Sequence, residues 1–459
     1  MRLFIACSCI FVALTFSATL SAQTPESQPN IVFFLVDDLG RSDVGFMGCK
    51  DIQTPNIDRL AKSGSILDAH YVQPVCSPTR AALMTGRYAT RTGVYTVVRP
   101  NAKWGLPLDE RTLPQALHEA GYQTAICGKW HLGEFQDAFK PTRRGFDLQY
   151  GHYFGALDYF THFRDGQKDW YRNDQTVEEE GYSTHLLARE ASKIIRERNP
   201  KKPLFLYVPF NGVHAPLQVP NRYTQPYANI EGNRRTYAGM LAAVDEAIGQ
   251  IVQTLEDAKM RENTLIIFSS DNGGPNPGKL TSNIPLRAGK GTIYEGGIRV
   301  CAFASYPGKI PSGETIREPM HAIDWFPTLV QLAGGKLEQK LPIDGKDVWP
   351  MLTQHAKTPH ESLLLVQTPE RAAVRQGDWK LMQLGATLND DGEYDEATSP
   401  RAKNSAKSDA KFELYNLAND VSESTNLIEK ESARAEAMKK VLQEYLRDAV
   451  EPGSRKGRR

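Results

Sequence analysis

Near-continuous apolar runs punctuate the chain, and two of them end abruptly on acidic or amide residues. "NIVFFLV" (30–36), "PLFLYV" (203–208) and "TLIIFSS" (264–270) mix aliphatic, β-branched and aromatic side chains without a polar alternate. That is the pattern of strands buried on both faces, not of strands with one face in water. The first runs into Asp37-Asp38-Leu39-Gly40 and the third into Asp271-Asn272-Gly273-Gly274. "YQTAICGK" (122–129) is a weaker strand closing on Gly128-Lys129. Helical periodicity separates these runs at 112–120, 183–198 and 234–258. Thr54-Pro55 predicts an N-cap followed by proline at the first helical position, with Gly64 as the stop. Pro78, followed by Ala81, Ala82, Leu83 and Met84, predicts another helix beginning at about residue 77.

Buried strands alternating with helices predict an α/β fold: a large, mixed, mainly parallel sheet sandwiched by helices. From about residue 345 the texture changes. "ESLLLVQT", "AAVRQ", "WKLMQL" and "KFELYNL" are short alternating segments of the antiparallel kind. They predict a smaller C-terminal α+β subdomain built on a short antiparallel sheet, with a helix from about 429 to 448. A polar stretch over 385–411 interrupts it and reads as a mobile loop, and "SRKGRR" closes the chain as a solvated basic tail. The expected organisation is a signal over residues 1–22, a catalytic α/β domain over 23–344 and the C-terminal subdomain over 345–459.

The net charge of +1 gives no general attraction for nucleic acid or a membrane surface, so any preference for anions must come from a local site. The opening "MRLFIACSCIFVALTFSATLSAQ" has a basic start, an apolar run and small residues at Ser21 and Ala22. This reads as a secretory signal cleaved near Ala22. The competing reading, a retained anchor, is disfavoured because Ser8, Thr15 and Ser17 interrupt the run. A secreted or periplasmic protein, without stable membrane insertion after signal removal, is expected. Cys49, Cys76, Cys127 and Cys301 remain beyond the signal, without zinc-finger spacing or the density of a disulfide framework.

Candidate chemistry collects at the strand ends, where α/β sheets bind ligands. Asp37, Asp38, Asp271 and Asn272 form a hard-oxygen set suited to Ca²⁺ or Mg²⁺. Either pair alone is what a turn after a strand looks like; two pairs at the ends of strands in one sheet argue for a cation. Lys129 and His131 in "GKWHLG", His214 in "NGVHAP" and Lys290 in "LRAGKGTIYEGGIR" follow the same topology, with glycines allowing close approach. They look like an anion cradle. Cys76 sits where the N–H groups of a helix start would face that anion. A cysteine nucleophile would want a thiolate, yet a hard-cation site prefers oxygen, so the working group at position 76 is expected to be an oxygen.

These residues resemble a known family. "CSPTR" (76–80) is similar to the C-x-P-x-R signature of type I sulfatases, whose cysteine is oxidised to formylglycine. "DDLGRSDVGF", "TPNIDRLAKSG", "GYQTAICGKWHLG", "PTRRGFD", "SSDNGG" and "GKGTIYEGGIR" match further family motifs in order, over roughly residues 29 to 450. Within the family the likeness is to the N-acetylgalactosamine 4-sulfatase branch, through "FGALDYFTH", "VHAPLQVPNRY", "MHAIDWFPTLVQLA" and "AAVRQGDWKLM".

The resemblance implies that Asp37, Asp38, modified residue 76, Asp271 and Asn272 hold one divalent cation, usually Ca²⁺, with Mg²⁺ the alternative. It implies that Arg80 holds the formylglycine, that Lys129 and Lys290 contact sulfate, that His131 assists turnover of residue 76 and that His214 protonates the leaving alcohol. It implies a sulfated carbohydrate or aryl sulfate substrate, such as a 4-O-sulfated galactosaminide or galactose, and a maturing enzyme acting on residues 76–80. Two other readings stay open: a phosphate or phosphonate ester hydrolase of the same superfamily, and a secreted glycan-binding protein without catalysis. The aromatic segment 151–172 reads either as sugar-stacking surface or as packing, and Trp104 and His321 are weaker candidates for the pocket wall.

Overall fold

The computed structural model describes residues 28–386 and 411–453. The expected signal, most of the expected mobile loop and the basic tail lie outside the described residues. Six strands build the centre of the large sheet: β1 (Asn30–Val36), β2 (Gln123–Lys129), β3 (Leu148–His152), β4 (Leu204–Pro209), β5 (Thr264–Ser270) and β6 (Ala302–Ser305). The ten-stranded order runs Glu314–Ile316, Ser65–Leu67, β6, β5, β1, β4, β2, β3, Tyr171–Arg172, Gln175–Thr176. From β5 to β3 every pair is parallel, and β6 turns antiparallel against β5.

The two-face burial inferred from the apolar runs is realised residue by residue. Val32, Phe34 and Val36 of β1 enter one core with helices α1 (Pro55–Lys62), α3 (Ser183–Glu197) and α4 (Gly232–Asp257). Ile31, Phe33 and Leu35 point the other way, into a core with helix α2 (Cys76–Thr85) and the helix Trp325–Leu332. Alternate side chains of a strand face opposite sides, so a strand covered on both must be apolar throughout.

The second sheet is antiparallel, in the order Leu363–Thr368, Arg371–Gln376, Trp379–Leu384, Lys411–Asn416. Helix α5 (Ser432–Leu446) covers one face through Ala435, Met438 and Leu442. The other face packs on Tyr71, Ile293 and Ile298, directly behind the loop that carries Lys290. No helix among the described residues is long and apolar enough to cross a membrane.

Of two local expectations, one holds and one is corrected. Helix α2 begins at Cys76, within one residue of the expected start, with extended Val75 as its N-cap position. Thr54 precedes α1 but its hydroxyl does not cap it: Oγ1 accepts from the Gly45 amide at 2.9 Å and donates to Asp58 at 3.0 Å. The neighbouring loop outcompetes the helix end for that oxygen.

Candidate active site

The parallel register fixes where the acids meet. Val36 lies opposite Ser270, so β1 and β5 end level, and Asp37 and Asp271 emerge side by side. The Asp271 amide donates to the Val36 carbonyl at 3.1 Å and the Asp37 amide to the Gly212 carbonyl at 2.9 Å. Asp38 continues in the left-handed region at φ 61°, and its amide donates to Asp271 Oδ1 at 3.2 Å. Asn272 Nδ2 donates to Asp38 Oδ1 at 2.8 Å.

Three cations interleave with these acids. Arg80 on α2 reaches Asp271 at 2.8 Å and Asp37 at 3.5 Å through Nη2, while Nη1 donates to the Lys129 carbonyl at 3.0 Å. Lys129 at the end of β2 donates to Asp37. Lys290 donates to Asp38 at 2.6 Å. Burial would raise the Asp37 carboxyl, but Lys129, His214, Arg80 and Lys290 hold it well below the ordinary range. Asp271 goes the other way, up to about 6, from burial and then from the adjoining Asp37 charge.

Cys76 lies buried at the start of α2, its Sγ 3.5 Å from Asp37 Oδ1. Burial and then the Asp37 charge push its thiol up to about 12, so a thiolate is disfavoured here. His214 stands across the acids, Nε2 3.6 Å from Asp38 Oδ2 and Nδ1 2.6 Å from the Ala215 carbonyl. His131 occupies the left-handed region at φ 59°, with its amide on the Tyr153 carbonyl at 3.0 Å and its own carbonyl bound by Ser77 Oγ at 2.8 Å. Gly155 makes room for its ring, since a Cβ there would stand 2.5 Å from Nε2. Burial, then Lys129 and Arg80, lower the His131 pKa well below its ordinary value.

The donor set fits a hard divalent cation. Ligand atoms of Asp37, Asp38, Cys76 and His214 lie within 4.8 Å of one another, with Asp271 and Asn272 joined to Asp38 by the hydrogen bonds above. Asn272 Oδ1 is buried without a hydrogen-bond partner among the described residues. A buried carbonyl left unpaired costs about 1–3 kcal/mol, and a cation would satisfy it.

All ten expected residues therefore converge. Others escaped sequence reading: Ser77, Tyr207 behind Arg80, and Tyr159, whose hydroxyl reaches the carbonyls of Asn211 and His214 at 2.7 Å each. Tyr159 did lie in the flagged aromatic segment. That segment is mostly packing: Tyr153, Tyr159 and Trp170 are buried, whereas Phe160 and Phe163 stand 42% and 43% exposed. His321 is not a pocket wall. It is fully buried, and its Nδ1 accepts from the Ile323 amide at 3.2 Å to cap a helical turn. Trp104 packs half-buried against the core beside Gly453.

The sulfatase family model matches residues 29–335. Arylsulfatase J of Mus musculus is 41% identical over 363 residues, 77% of this chain and 60% of that protein. N-acetylgalactosamine-6-sulfatase of Canis lupus familiaris is 35% identical over 365 residues, 73% of this chain and 68% of that protein. The chain thus spans about three fifths of the mouse relative's length. Among solved structures, Ps i-CgsB in complex with k-i-k-neocarrahexaose matches with a TM-score of 0.82 at 34% identity, covering 93% of this chain and 94% of that one. With the acids, the cations and Cys76 gathered inside the matched region, the chain belongs to the sulfatase family.

Proposed function

We propose that this protein is a sulfuric ester hydrolase that removes sulfate from a carbohydrate, working through formylglycine made from Cys76. The observation that carries the reading is Cys76 at a helix start, 3.5 Å from Asp37 and surrounded by Arg80, Lys129 and Lys290. Three carboxylates balance three basic side chains there, so a divalent cation leaves the site positive, which suits an anionic ester.

Asp37, Asp38, Asp271, Asn272 and residue 76 would hold the cation, Ca²⁺ by its oxygen ligands and Mg²⁺ as the alternative. Bound there, it supplies Lewis-acid polarisation of the sulfate oxygens and of the residue 76 hydroxyl. Hydrated formylglycine offers two hydroxyls on one carbon, one to attack sulfur and one to release sulfate as the aldehyde re-forms. Lys129 and Lys290 each keep N–H bonds free beyond their carboxylate partners, and these neutralise charge on the sulfate oxygens. Arg80 spends its guanidinium on Asp37, Asp271 and the Lys129 carbonyl, and so braces the site. His131 takes a proton from residue 76 during release. His214, with Nδ1 on the Ala215 carbonyl, turns Nε2 to the leaving oxygen and protonates it as general acid.

A sulfated galactose or galactosamine unit is the substrate class these relatives support, with 4-O-sulfate ahead of 6-O-sulfate on the "FGALDYFTH" likeness. Exposed Phe160, next in the chain to Tyr159, offers a sugar face an aromatic contact. The segment ahead of residue 23 carries the chain out of the cytosol, and a maturing enzyme reads Cys76, Pro78 and Arg80. Mass spectrometry of the peptide spanning residue 76, with p-nitrophenyl sulfate and phosphate turnover, tests the proposal. Formylglycine and a preference for sulfate are expected. Unmodified cysteine in active enzyme from the native host, or Cys76→Ser with normal steady-state turnover, sinks it.

A further inference from the structure

Tyr159 is buried, with its ring stacked on Tyr182 at 5.4 Å between centroids and 19° between planes. Its hydroxyl stands 2.7 Å from the Asn211 carbonyl and 2.7 Å from the His214 carbonyl. A hydroxyl has one hydrogen, so the two carbonyls share it. These carbonyls bracket a tight turn, because the His214 amide donates to the Asn211 carbonyl at 3.0 Å. The tyrosine therefore grips both ends of the segment that delivers His214.

The grip is anchored at its own base. The Tyr159 amide donates to Gln218 Oε1 at 2.9 Å, and Gln218 Nε2 donates to Asp158 Oδ2 at 2.7 Å. Tyr182 Oη donates to the Gln218 carbonyl at 3.1 Å. Residues 158–159 and 211–218 thus form one hydrogen-bonded frame, with His214 at its inner edge and exposed Phe160 at its outer one. Among the described residues, His214 is otherwise tied down by its ring nitrogen on the next carbonyl and its approach to Asp38. The backbone before it is pinned to Asp37, whose amide donates to the Gly212 carbonyl at 2.9 Å and whose carbonyl accepts from the Val213 amide at 2.8 Å. Among the described residues the Tyr159 hydroxyl is the side-chain group that reaches the His214 carbonyl itself.

We propose that Tyr159 is a positioning residue for the leaving-group acid: its hydroxyl sets where His214 Nε2 meets the departing oxygen. The inference rests on the reading of His214 as general acid. It has a consequence that a packing role lacks. A misplaced acid harms esters whose leaving oxygen needs a proton and spares those whose leaving oxygen does not. Tyr159→Phe keeps the ring and its stack and deletes only the hydroxyl.

The test uses mature full-length enzyme with p-nitrophenyl, phenyl and p-methoxyphenyl sulfate, in wild type, Tyr159→Phe, His214→Ala and the double variant. Tyr159→Phe is expected to lower kcat on phenyl and p-methoxyphenyl sulfate about tenfold while p-nitrophenyl sulfate changes about twofold or less. In the His214→Ala background the same change is expected to cost less than about twofold on every ester. Equal losses across the three esters, a loss that persists without His214, or no loss at all would each overturn the proposal. If His214→Ala itself lowers all three esters equally, the general-acid reading fails first. That result is visible without the tyrosine variant, and the positioning role falls with it.

Discussion

Replacing Lys380 by methionine should cost several kcal/mol although the residue lies far along the chain from the catalytic groups. Lys380, on the third strand of the C-terminal sheet, has no exposed side-chain surface, and neither do its partners Glu295 and Glu423. Its Nζ lies 2.9 Å from Glu295 Oε1 and 2.8 Å from Glu423 Oε1. The other Glu295 oxygen accepts from the Tyr71 hydroxyl at 2.7 Å, and the other Glu423 oxygen from the Glu295 amide at 2.7 Å. Methionine keeps the length and apolar stem but leaves buried Glu423 without this cation and Glu295 with Arg299 at 3.4 Å. Removing one partner of a buried ion pair costs about 3–5 kcal/mol.

The Glu295 carboxyl points the same way. Burial raises it, but Lys380 first, then Arg299 and Arg375, hold it at about 2 against an ordinary 4.5, so Lys380 supplies the largest share of a gap worth about 3 kcal/mol at about 1.4 kcal/mol per pH unit. A depressed carboxyl contributes stability that is complete above its unfolded value and lost as pH falls through 4.5 towards 2. Without Lys380 the pair escapes by taking up a proton, most readily on Glu423, which burial already raises. The difference between wild type and Lys380→Met should therefore be largest near about pH 8 and shrink towards about pH 5. Urea unfolding at both pH values measures it. A loss below about 1 kcal/mol at the higher pH, or a penalty that ignores pH, would refute the reasoning.

Three further outcomes are expected. Phe160→Ala should raise KM on a sulfated galactose oligosaccharide several-fold while p-nitrophenyl sulfate kinetics stay within about twofold, because only the longer substrate reaches the exposed ring; parallel losses on both substrates would count against a sugar contact. Dialysis against a chelator should abolish turnover, and Ca²⁺ should restore it; full activity after exhaustive chelation would exclude the cation. Asn272→Leu should weaken the Ca²⁺ dependence of activity and of thermal stability by about tenfold or more, as its buried Oδ1 is otherwise unpaired; an unchanged Ca²⁺ titration would remove Asn272 from the ligand set.

What was legible in the chain is what short-range pattern encodes. The apolar runs 30–36 and 264–270 coincide with β1 and β5, because strands buried on both faces are largely apolar and end where charged groups begin. Their ends carry Asp37 and Asp271, so the apolar runs alone place the acids at the edge of the sheet. Cys76, Pro78 and Arg80 are legible because they stand together in one five-residue stretch, CSPTR, that resembles a family signature.

The residues that escaped depend on partners distant in sequence. Even a separation of nine residues hides a partner: Thr54 looks like a cap, yet its hydroxyl accepts from the Gly45 amide and donates to Asp58. Lys380, Glu295 and Glu423 each look like ordinary surface charges, and only the packing of the C-terminal sheet against Ile293 and Ile298 turns them into a buried triad. Tyr159 is the sharpest case. As one aromatic among many it reads as core, and its ring is core. Its function resides in a single hydroxyl oxygen and two carbonyls more than fifty residues away. Pattern reports which face a side chain must bury; it does not report what its polar end will find there. Buried polar tips inside a flagged segment are therefore where a legible sequence should be expected to hide its positioning residues.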